Sequence, residues 1–465
     1  MSVAVLPDRP VQMDPASTPT GPSARVPNLR TAPGPQPPAH RGVQTRRAVL
    51  PFLRWLVLVL AANGVAAALL LSGAPSGPSA LAVTLTAASL NVGIAALVRQ
   101  QYVVNALFRL ATSAPLSWPL GVRAALAQVY QFFGGVHVGS ALSAIGWFTA
   151  FTVLMAVRVV TGPVSGLEIV VLATAAAILI VLGGMAVCAR PTVRERHHDR
   201  FELTHRYGGW SAVVLFAVLT VLVAATSGGP VLGAMTTSPG TWIVLAVGAI
   251  AVLPWLQLRR VPVSLETPSD HVGLVTVQRG RPGRPGSATR IARRPLGGWH
   301  SFATIPEPDS DTYRLAVSRA GDWTTRFIAE RPESVWTRGV PTSGVATVAR
   351  LFNRVVWVAT GSGIAPCLPH LLSGRTPAQL VWVTRNPERT YGPDLVGEIL
   401  AAQPDAILWD TDANGKPDLA ELADRACRAT GAEAVICISN KNTTLQLVAQ
   451  LRERGIPAYG PIWDS

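Results

Sequence analysis

Residues 355–372, VVWVATGSGIAPCLPHLL, carry an apolar strand straight into Gly361-Ser362-Gly363 and on into a helix from Pro366. Glycines at such a strand-to-helix turn let the backbone approach a pyrophosphate, whose charge is met by the free amides of the helix N-terminus. Gly361, Ser362, Gly363, Ile364 and Pro366 are therefore candidate contacts to a dinucleotide, with a plain tight turn as the alternative. The next apolar strand runs into VWVTRNPER, which supplies Arg385 and Arg389. A cation there meets the 2′-phosphate of NADPH, whereas an acid would favour NADH. No acid stands at that strand end, so NADPH is preferred over NADH, and a solvated surface is the other reading of both arginines.

Two histidines sit in or beside apolar runs. His137 lies in YQFFGGVHVGSALSAIGWF, and His205 lies in RFELTHRYGGW at the entrance to a later run. Imidazoles on two facing helices are what a six-coordinate haem iron needs, and bundle interiors are where such sites are built. His137 and His205 are thus candidate ligands of one haem b. The competing reading has His137 bonded to a neighbouring helix and His205 at an interface among arginines, because a polar ring inside an apolar span needs a partner. His197 and His198 fall in an arginine-rich loop and receive no role. Cys188, Cys367, Cys427 and Cys437 are too scattered for a disulfide framework or a zinc site.

The composition says what must hold these residues. Of 465 residues, 49% are hydrophobic and only 14% charged, against about 25% charged in ordinary soluble chains. The imbalance is confined to residues 51–260, which excludes a simple soluble enzyme. The long polar-and-apolar sequence that follows needs a core of its own, which excludes a pure transporter. Six runs, at 51–71, 80–98, 132–157, 167–189, 210–226 and 242–258, approach the ~20 apolar residues that cross a hydrocarbon core. The net charge of +14 comes from arginines clustered at the ends of these runs, which points to membrane orientation and not to a nucleic-acid partner. Arg41, Arg46 and Arg47, then Arg99, Arg109 and Arg123, then Arg190 to Arg206, and finally Arg259 and Arg260 lie on one side; the other side offers only Arg158. Both termini are therefore expected in the cytoplasm, with membrane lipid as a partner and the cell's inner or plasma membrane as the location. Residues 1–48, rich in Pro, Ser, Thr, Gly and Arg, are expected to be disordered, as a flexible leader or a docking tail, with no secretory signal.

After residue 260 the pattern changes. Short alternating runs such as HVGLVTVQR and YRLAVSR, separated by Pro and Gly turns, predict a small antiparallel barrel over 261–350. Residues 351–465 alternate strands with helices (RVVWVAT, AQLVWVTR, DAILWD and AVICIS are the strands), which predicts an α/β domain with a parallel sheet covered on both faces. The expected fold class is a multi-domain membrane protein: a six-helix bundle over 49–260, the antiparallel β-barrel, and the parallel-sheet domain.

TGSGIAP resembles the nicotinamide-nucleotide motif of the ferredoxin–NADP reductase superfamily, and the order of domains is similar to its membrane branch of ferric reductases and NADPH oxidases. Two further stretches carry the resemblance. WHSFATIP is similar to the family's His-Pro-Phe-Thr flavin motif, which implies Phe302 along the flavin, Thr304 approaching its ring and His300 near the phosphates. RAGDWTTRF resembles a Gly-Asp-Trp-Thr turn beside the FAD pyrophosphate, which implies Gly321, Trp323 and Thr324 there. The chain departs from the family at Ala303, which displaces the hydroxyl by one residue. It departs again at Cys437-Ile-Ser439-Asn440, where the family has Cys-Gly. Trp463 stands in for the usual terminal aromatic. Two-haem relatives carry a second histidine 13 or 14 positions after each first one; here those positions are Ala150 or Phe151 and Val218 or Leu219. The resemblance implies an oxidoreductase that passes electrons from cytoplasmic NAD(P)H to FAD, and on through one inner haem to a membrane or cytoplasm-side acceptor. The alternatives are a flavin- and nucleotide-binding sensor or accessory protein with little turnover, and a scaffold that has lost its ligands.

Overall fold

The computed structural model describes residues 50–73, 78–278, 283–307 and 310–461; the tail read as disordered lies outside them. Six helices are long and apolar enough to cross a membrane, by length and composition. They are α1 (Leu50–Ser72), α2 (Pro78–Leu97), α5 (Val129–Thr161), α6 (Gly166–Cys188), α7 (His198–Ala225) and α8 (Pro239–Val252), the last continued by a short turn at Trp255–Gln257. Helix α7 begins well before the apolar run expected from 210. Its first turns, HDRFELTHR, satisfy their backbone as well as apolar residues would, and hydropathy marks where a helix becomes apolar, not where it begins. Helix α8 stops short of 258 because Pro254 cannot continue the ladder.

Small residues set the closest contacts in the bundle. A Cβ at Gly135 would lie 2.6 Å from Phe52 O, and one at Gly139 would lie 2.9 Å from Val59 Cβ, so α5 meets α1 backbone to backbone. Asn63 Oδ1 accepts from Asn91 Nδ2 and from Trp147 Nε1, both at 2.8 Å. Arg158 pairs with Glu168 at 2.7 Å, which neutralises the only arginine counted on the far side. Phe148, Phe151, Phe216 and Leu219 form a buried core, with Phe148 stacked on Phe151 at 5.6 Å and tilted on Phe216 at 5.0 Å. Of these, Phe151 and Leu219 stand at positions where the resemblance to two-haem relatives would place a second histidine pair.

Between α2 and α5 lie α3 (Gln101–Ala111) and α4 (Leu120–Leu126). Gln101 and Asn105, one turn apart, hold the segment 340–343. Asn105 Nδ2 donates to Pro341 O at 2.9 Å, its Oδ1 accepts from Ser343 N at 2.8 Å, and Gln101 Oε1 accepts from Val340 N at 3.2 Å. Val104, Phe108 and Ala127 share an apolar cluster with Trp357, Leu368 and Ile436 of the parallel-sheet domain. Arg123, counted above among the loop charges, is only 4% exposed. It donates to Glu433 through both terminal nitrogens, at 2.8 and 3.1 Å, to Leu351 O at 2.7 Å and to Trp118 O at 2.8 Å. Glu433 also accepts from the backbone and side chain of Asn353.

The antiparallel strands are β1 (Arg259–Glu266), β2 (Val272–Val277), β3 (Ser287–Ala292), β4 (His300–Pro306), β5 (Tyr313–Ser318), β6 (Ser334–Thr337) and the short β7 (Thr342–Ser343). The order β1-β2-β5-β4-β3-β6 returns to β1, so six strands close into a barrel. Helix α9 (Asp322–Glu330) joins β5 to β6 and buries Phe327 and Ile328 in the barrel core. The parallel sheet has the order β10-β9-β8-β11-β12, with β8 at Val355–Thr360, β9 at Ala378–Thr384, β10 at Ile407–Asp410, β11 at Ala434–Ile438 and β12 at Ala458–Tyr459. Helices α10 (Ile364–Ser373), α11 (Pro393–Ala402), α12 (Leu419–Thr430) and α13 (Lys441–Glu453) alternate with its strands. Strands β8 and β11 are buried almost throughout, as a sheet covered on both faces requires. Strand β12, two residues long, is below the length at which a sequence pattern shows.

Removing one member of a buried ion pair strands the other, so Arg123→Ala should cost roughly 3–5 kcal/mol, read by thermal denaturation of the full chain in detergent. The Arg123 hydrogen bonds hold the Glu433 carboxyl down at about 2, from an ordinary 4.5. A depressed carboxylate contributes its stability above the unfolded value and loses it as pH falls through the folded one. The gap between wild type and Arg123→Ala should therefore be full above about pH 4.5 and narrow toward pH 2.

Candidate functional site

In an open parallel sheet the ligand crevice lies beyond the carboxyl ends of the strands, where the strand order reverses. Here that point is between β8 and β11. The turn after β8 is a 3-10 turn over Gly361–Gly363, with Gly361 at φ +50°. Gly363 has no room for a side chain: a Cβ there would lie 2.0 Å from Ile438 O. Across the crevice the Thr360 and Ser439 hydroxyls hydrogen-bond, and Trp382 Nε1 on β9 donates to Gly361 O at 3.0 Å. Ser362 is exposed at the mouth. Ile364 is buried, in one cluster with Ile305 of β4, so it joins sheet to barrel instead of presenting itself to a ligand. Pro366 is half-buried behind the turn.

Arg385 and Arg389 are exposed beyond the end of β9. The neighbouring strand β10 supplies an acid to the same loop, because Asp410 Oδ1 accepts from Asn386 N at 2.9 Å. A search for an acid on β9 alone misses it. Cys437 points into the sheet's buried core, where burial pushes its thiol up to about 12, so it stands away from the crevice as an un-ionised thiol.

In the barrel, residues of β4 and α9 meet. The His300 ring stacks on Trp323 at 4.1 Å, Phe302 lies 6.1 Å from the same indole, and Trp323 stacks on Phe327 at 4.9 Å. Thr304 is fully buried and its hydroxyl hydrogen-bonds that of Thr289 at 2.8 Å. The one-residue displacement at Ala303 accounts for this, since adjacent residues of a strand face opposite ways and the shift carries the hydroxyl to the other face. The Thr324 hydroxyl accepts from Gly321 N at 3.2 Å and donates to Gly321 O at 3.0 Å, closing the first turn of α9. Trp463 lies outside the described residues.

Two cations in the same region carry no motif. Arg290, on β3, sits opposite Ser301 of β4. Arg338 is held between the rings of Trp255 and Trp299, at 4.7 and 4.3 Å. Burial lowers the Arg290 guanidinium. Burial, with Arg290 and Arg206 nearby, brings Arg338 down to about 10. Neither forms an ion pair among the described residues. The one sequence signal for Arg290 is a lone charge inside an otherwise uncharged strand, SATRIA.

Above the barrel, Arg206 of α7 donates to Gly297 O at 2.8 Å, and Lys441 at the start of α13 pairs with Glu195. Two turns into α7, His205 faces His137 with ring centroids 6.2 Å apart and planes at 64°. His137 Nδ1 lies 2.9 Å from Ala95 O; a carbonyl only accepts, so Nδ1 carries the proton and the neutral ring keeps its lone pair on Nε2. His205 Nδ1 is buried with no hydrogen-bond partner among the described residues. No cluster of three or more His, Cys, Asp or Glu residues suited to a metal occurs among the described residues.

Residues 345–465 match the family model "Adenylate-forming reductase 03009, C-terminal domain". The chain is 40% identical over 378 residues to adenylate-forming reductase 03009 of Coprinopsis cinerea. It is also 40% identical over 380 residues to adenylate-forming reductase 06235 of the same fungus. Each match spans 81% of this chain but 36% of the relative, so the chain covers about a third of the length of these curated relatives. A ferredoxin NADP+ reductase from Neisseria gonorrhoeae with bound FAD and NADP aligns with 44% of this chain and 99% of its own, at 15% identity and TM-score 0.35. A ferredoxin-NADP+ reductase from Plasmodium falciparum, in complex with 2′P-AMP, aligns with 44% of this chain and 95% of its own at TM-score 0.34. No ferric reductase or NADPH oxidase stands among these similar proteins, so the likeness to that membrane branch rests on domain order alone.

Gly363→Ala should force β8 and β11 apart, costing roughly 1–3 kcal/mol, whereas the exposed Ser362→Ala should leave stability within about 0.5 kcal/mol. Chemical denaturation of the two variants beside wild type checks the difference.

Proposed function

We propose that this chain is an NAD(P)H-dependent flavin oxidoreductase, anchored by its six apolar helices with both termini in the cytoplasm. The observation that carries the reading is the packing of β4 against α10, the helix that starts at the glycine turn, through Ile305 and Ile364. It sets a barrel edge beside the reversal point of a parallel sheet. FAD, when bound, takes a hydride and releases its electrons singly. The chain's part is to hold and orient. Gly361 and Gly363 leave the backbone open to a dinucleotide pyrophosphate. Arg290 and Arg338, half-buried and in no ion pair among the described residues, are suited to the diphosphate of FAD. His300, Phe302 and Trp323 close the barrel end with an aromatic column. Arg385 and Arg389, with Asp410 at the same loop, bear on NADPH against NADH.

The relatives' name supports a reducing role, and the 378 to 380 residues they share with this chain exceed the length of barrel and sheet together, so the shared stretch includes part of the helical bundle. What their remaining length does is not transferred. Exposed side chains along the helices, such as Val160 at 83% and Ile180 at 75%, support a lipid environment, because water tolerates such apolar surface poorly. The electron acceptor is proposed to be dissolved in the membrane or to approach from the cytoplasm.

One haem b between His137 and His205 extends the proposal. His137 and His205, with ring centroids 6.2 Å apart, would hold it, and the Nδ1–H to Ala95 O contact is the usual outer support of a metal-binding imidazole. Haem would supply one-electron transfer. The filled phenylalanine core beyond leaves that half of the bundle to packing.

Purified full-length protein should show flavin absorbance that bleaches on adding NADPH under argon. Colourless protein that takes up no FAD would defeat the proposal, and flavin that NAD(P)H cannot bleach would favour a sensor or accessory role, as the internal engagement of Thr304 and Cys437 would suit. His137→Ala should remove any Soret band while retaining the flavin; a retained band would reject this ligand pair.

A further inference from the structure

Where α3 docks on the barrel, a cavity of about 200 Å³ is lined by Arg109, Arg284 and Arg350 with Asn105, Ser343 and Thr347. Among the described residues no acid lines it, and none of the three arginines forms an ion pair or a side-chain hydrogen bond there. All three arginines are exposed, so water weakens, without abolishing, the repulsion among three like charges around one small cavity. A protein gathers them without an acid at a cost that an anion offsets, and guanidinium forks match phosphate oxygens two at a time. The volume falls below the ~300–1,000 Å³ of pockets for whole small molecules, which suits a headgroup or a terminal phosphate and not a nucleotide or flavin. The cavity draws its residues from separate elements: α3 gives Asn105 and Arg109, the loop before β3 gives Arg284, and β7 with the turn after it gives Ser343, Thr347 and Arg350. Asn105 is already fixed to Pro341 and Ser343, so the wall is braced before any ligand arrives. The adjoining surface is apolar: Leu110 is 71% exposed, and Leu116, Trp118, Leu120 and Val122 are exposed with it. An exposed tryptophan among aliphatic residues is characteristic of a segment at the membrane–water boundary.

We infer that the cavity formed by Arg109, Arg284 and Arg350 binds a phosphate or diphosphate group, carried either by a phospholipid headgroup or by a soluble ligand. The site uses none of the residues assigned above to nucleotide or flavin, so it stands or falls apart from that reading.

The test uses the full chain with two probes: sodium pyrophosphate titrated by calorimetry in detergent, and nanodiscs of phosphatidylcholine with or without phosphatidic acid, read by thermal unfolding. Wild type should bind pyrophosphate, melt higher with phosphatidic acid, or both. A response to pyrophosphate alone assigns the soluble source, and a response to phosphatidic acid alone assigns the lipid. Each of Arg109→Gln, Arg284→Gln and Arg350→Gln should weaken the response roughly tenfold or more. Arg284→Lys, which keeps charge but loses the fork, should fall between. Without either probe the variants should melt no lower than wild type, because each relieves repulsion. Failure of wild type to respond to both probes would overturn the inference. So would glutamine variants that respond as wild type does, or ones that melt well below it without probe, since the guanidinium groups would then be structural.

Discussion

The contact on which the arrangement depends is the buried pair between Arg123 and Glu433. A guanidinium taken out of water is tolerated only when its donors are met, and here two carboxylate oxygens and the carbonyls of Leu351 and Trp118 meet them. Glu433 opens β11, and Leu351 precedes β8. The pair therefore grips the two central strands of the parallel sheet at their amino ends. The glycine turn and Ser439 occupy the opposite, carboxyl ends of the same strands, so the crevice is held from below by a residue of the segment between two apolar helices.

Around that grip the soluble half is fastened to the bundle at separated points. Gln101 and Asn105 hold the strand segment after β6, Arg206 holds the loop before β4, Lys441 holds the segment before α7, and the Tyr459 hydroxyl donates to Ala124 O at 2.9 Å. Such ties are directional and each is modest, but together they fix orientation. A common apolar cluster running from α3 through β4 to the sheet supplies the burial. The linker 101–128 is thus a structural part of the soluble half, although it lies between two helices of the bundle.

Much of this was legible in the residues. The six apolar helices, the alternation of strand and helix after residue 351 and the turn at Gly361–Gly363 follow from periodicity and from glycine's freedom, which act locally. The barrel was legible as short alternating runs, but its closure was not, because strand order depends on pairings such as β1 with β6 that lie more than seventy residues apart. Thr304 illustrates a second loss. Its residue type suited a flavin contact, yet strand parity sends the hydroxyl to Thr289. Arg123 illustrates a third: as a letter it was one of many loop arginines, and only its surroundings turn it into a buried tie.

The sequence by itself determined which segments are apolar enough for a bundle, where the chain turns to strand-and-helix alternation, and which glycines must stay bare. These follow from side-chain chemistry within a few residues. Only the tertiary structure decided that His300 and Phe302 stack on Trp323, that His137 and His205 face each other at 6.2 Å, and that three arginines from separate segments share one cavity. Each of those is a distance between residues remote along the chain, set by packing and backbone direction, which no local pattern encodes.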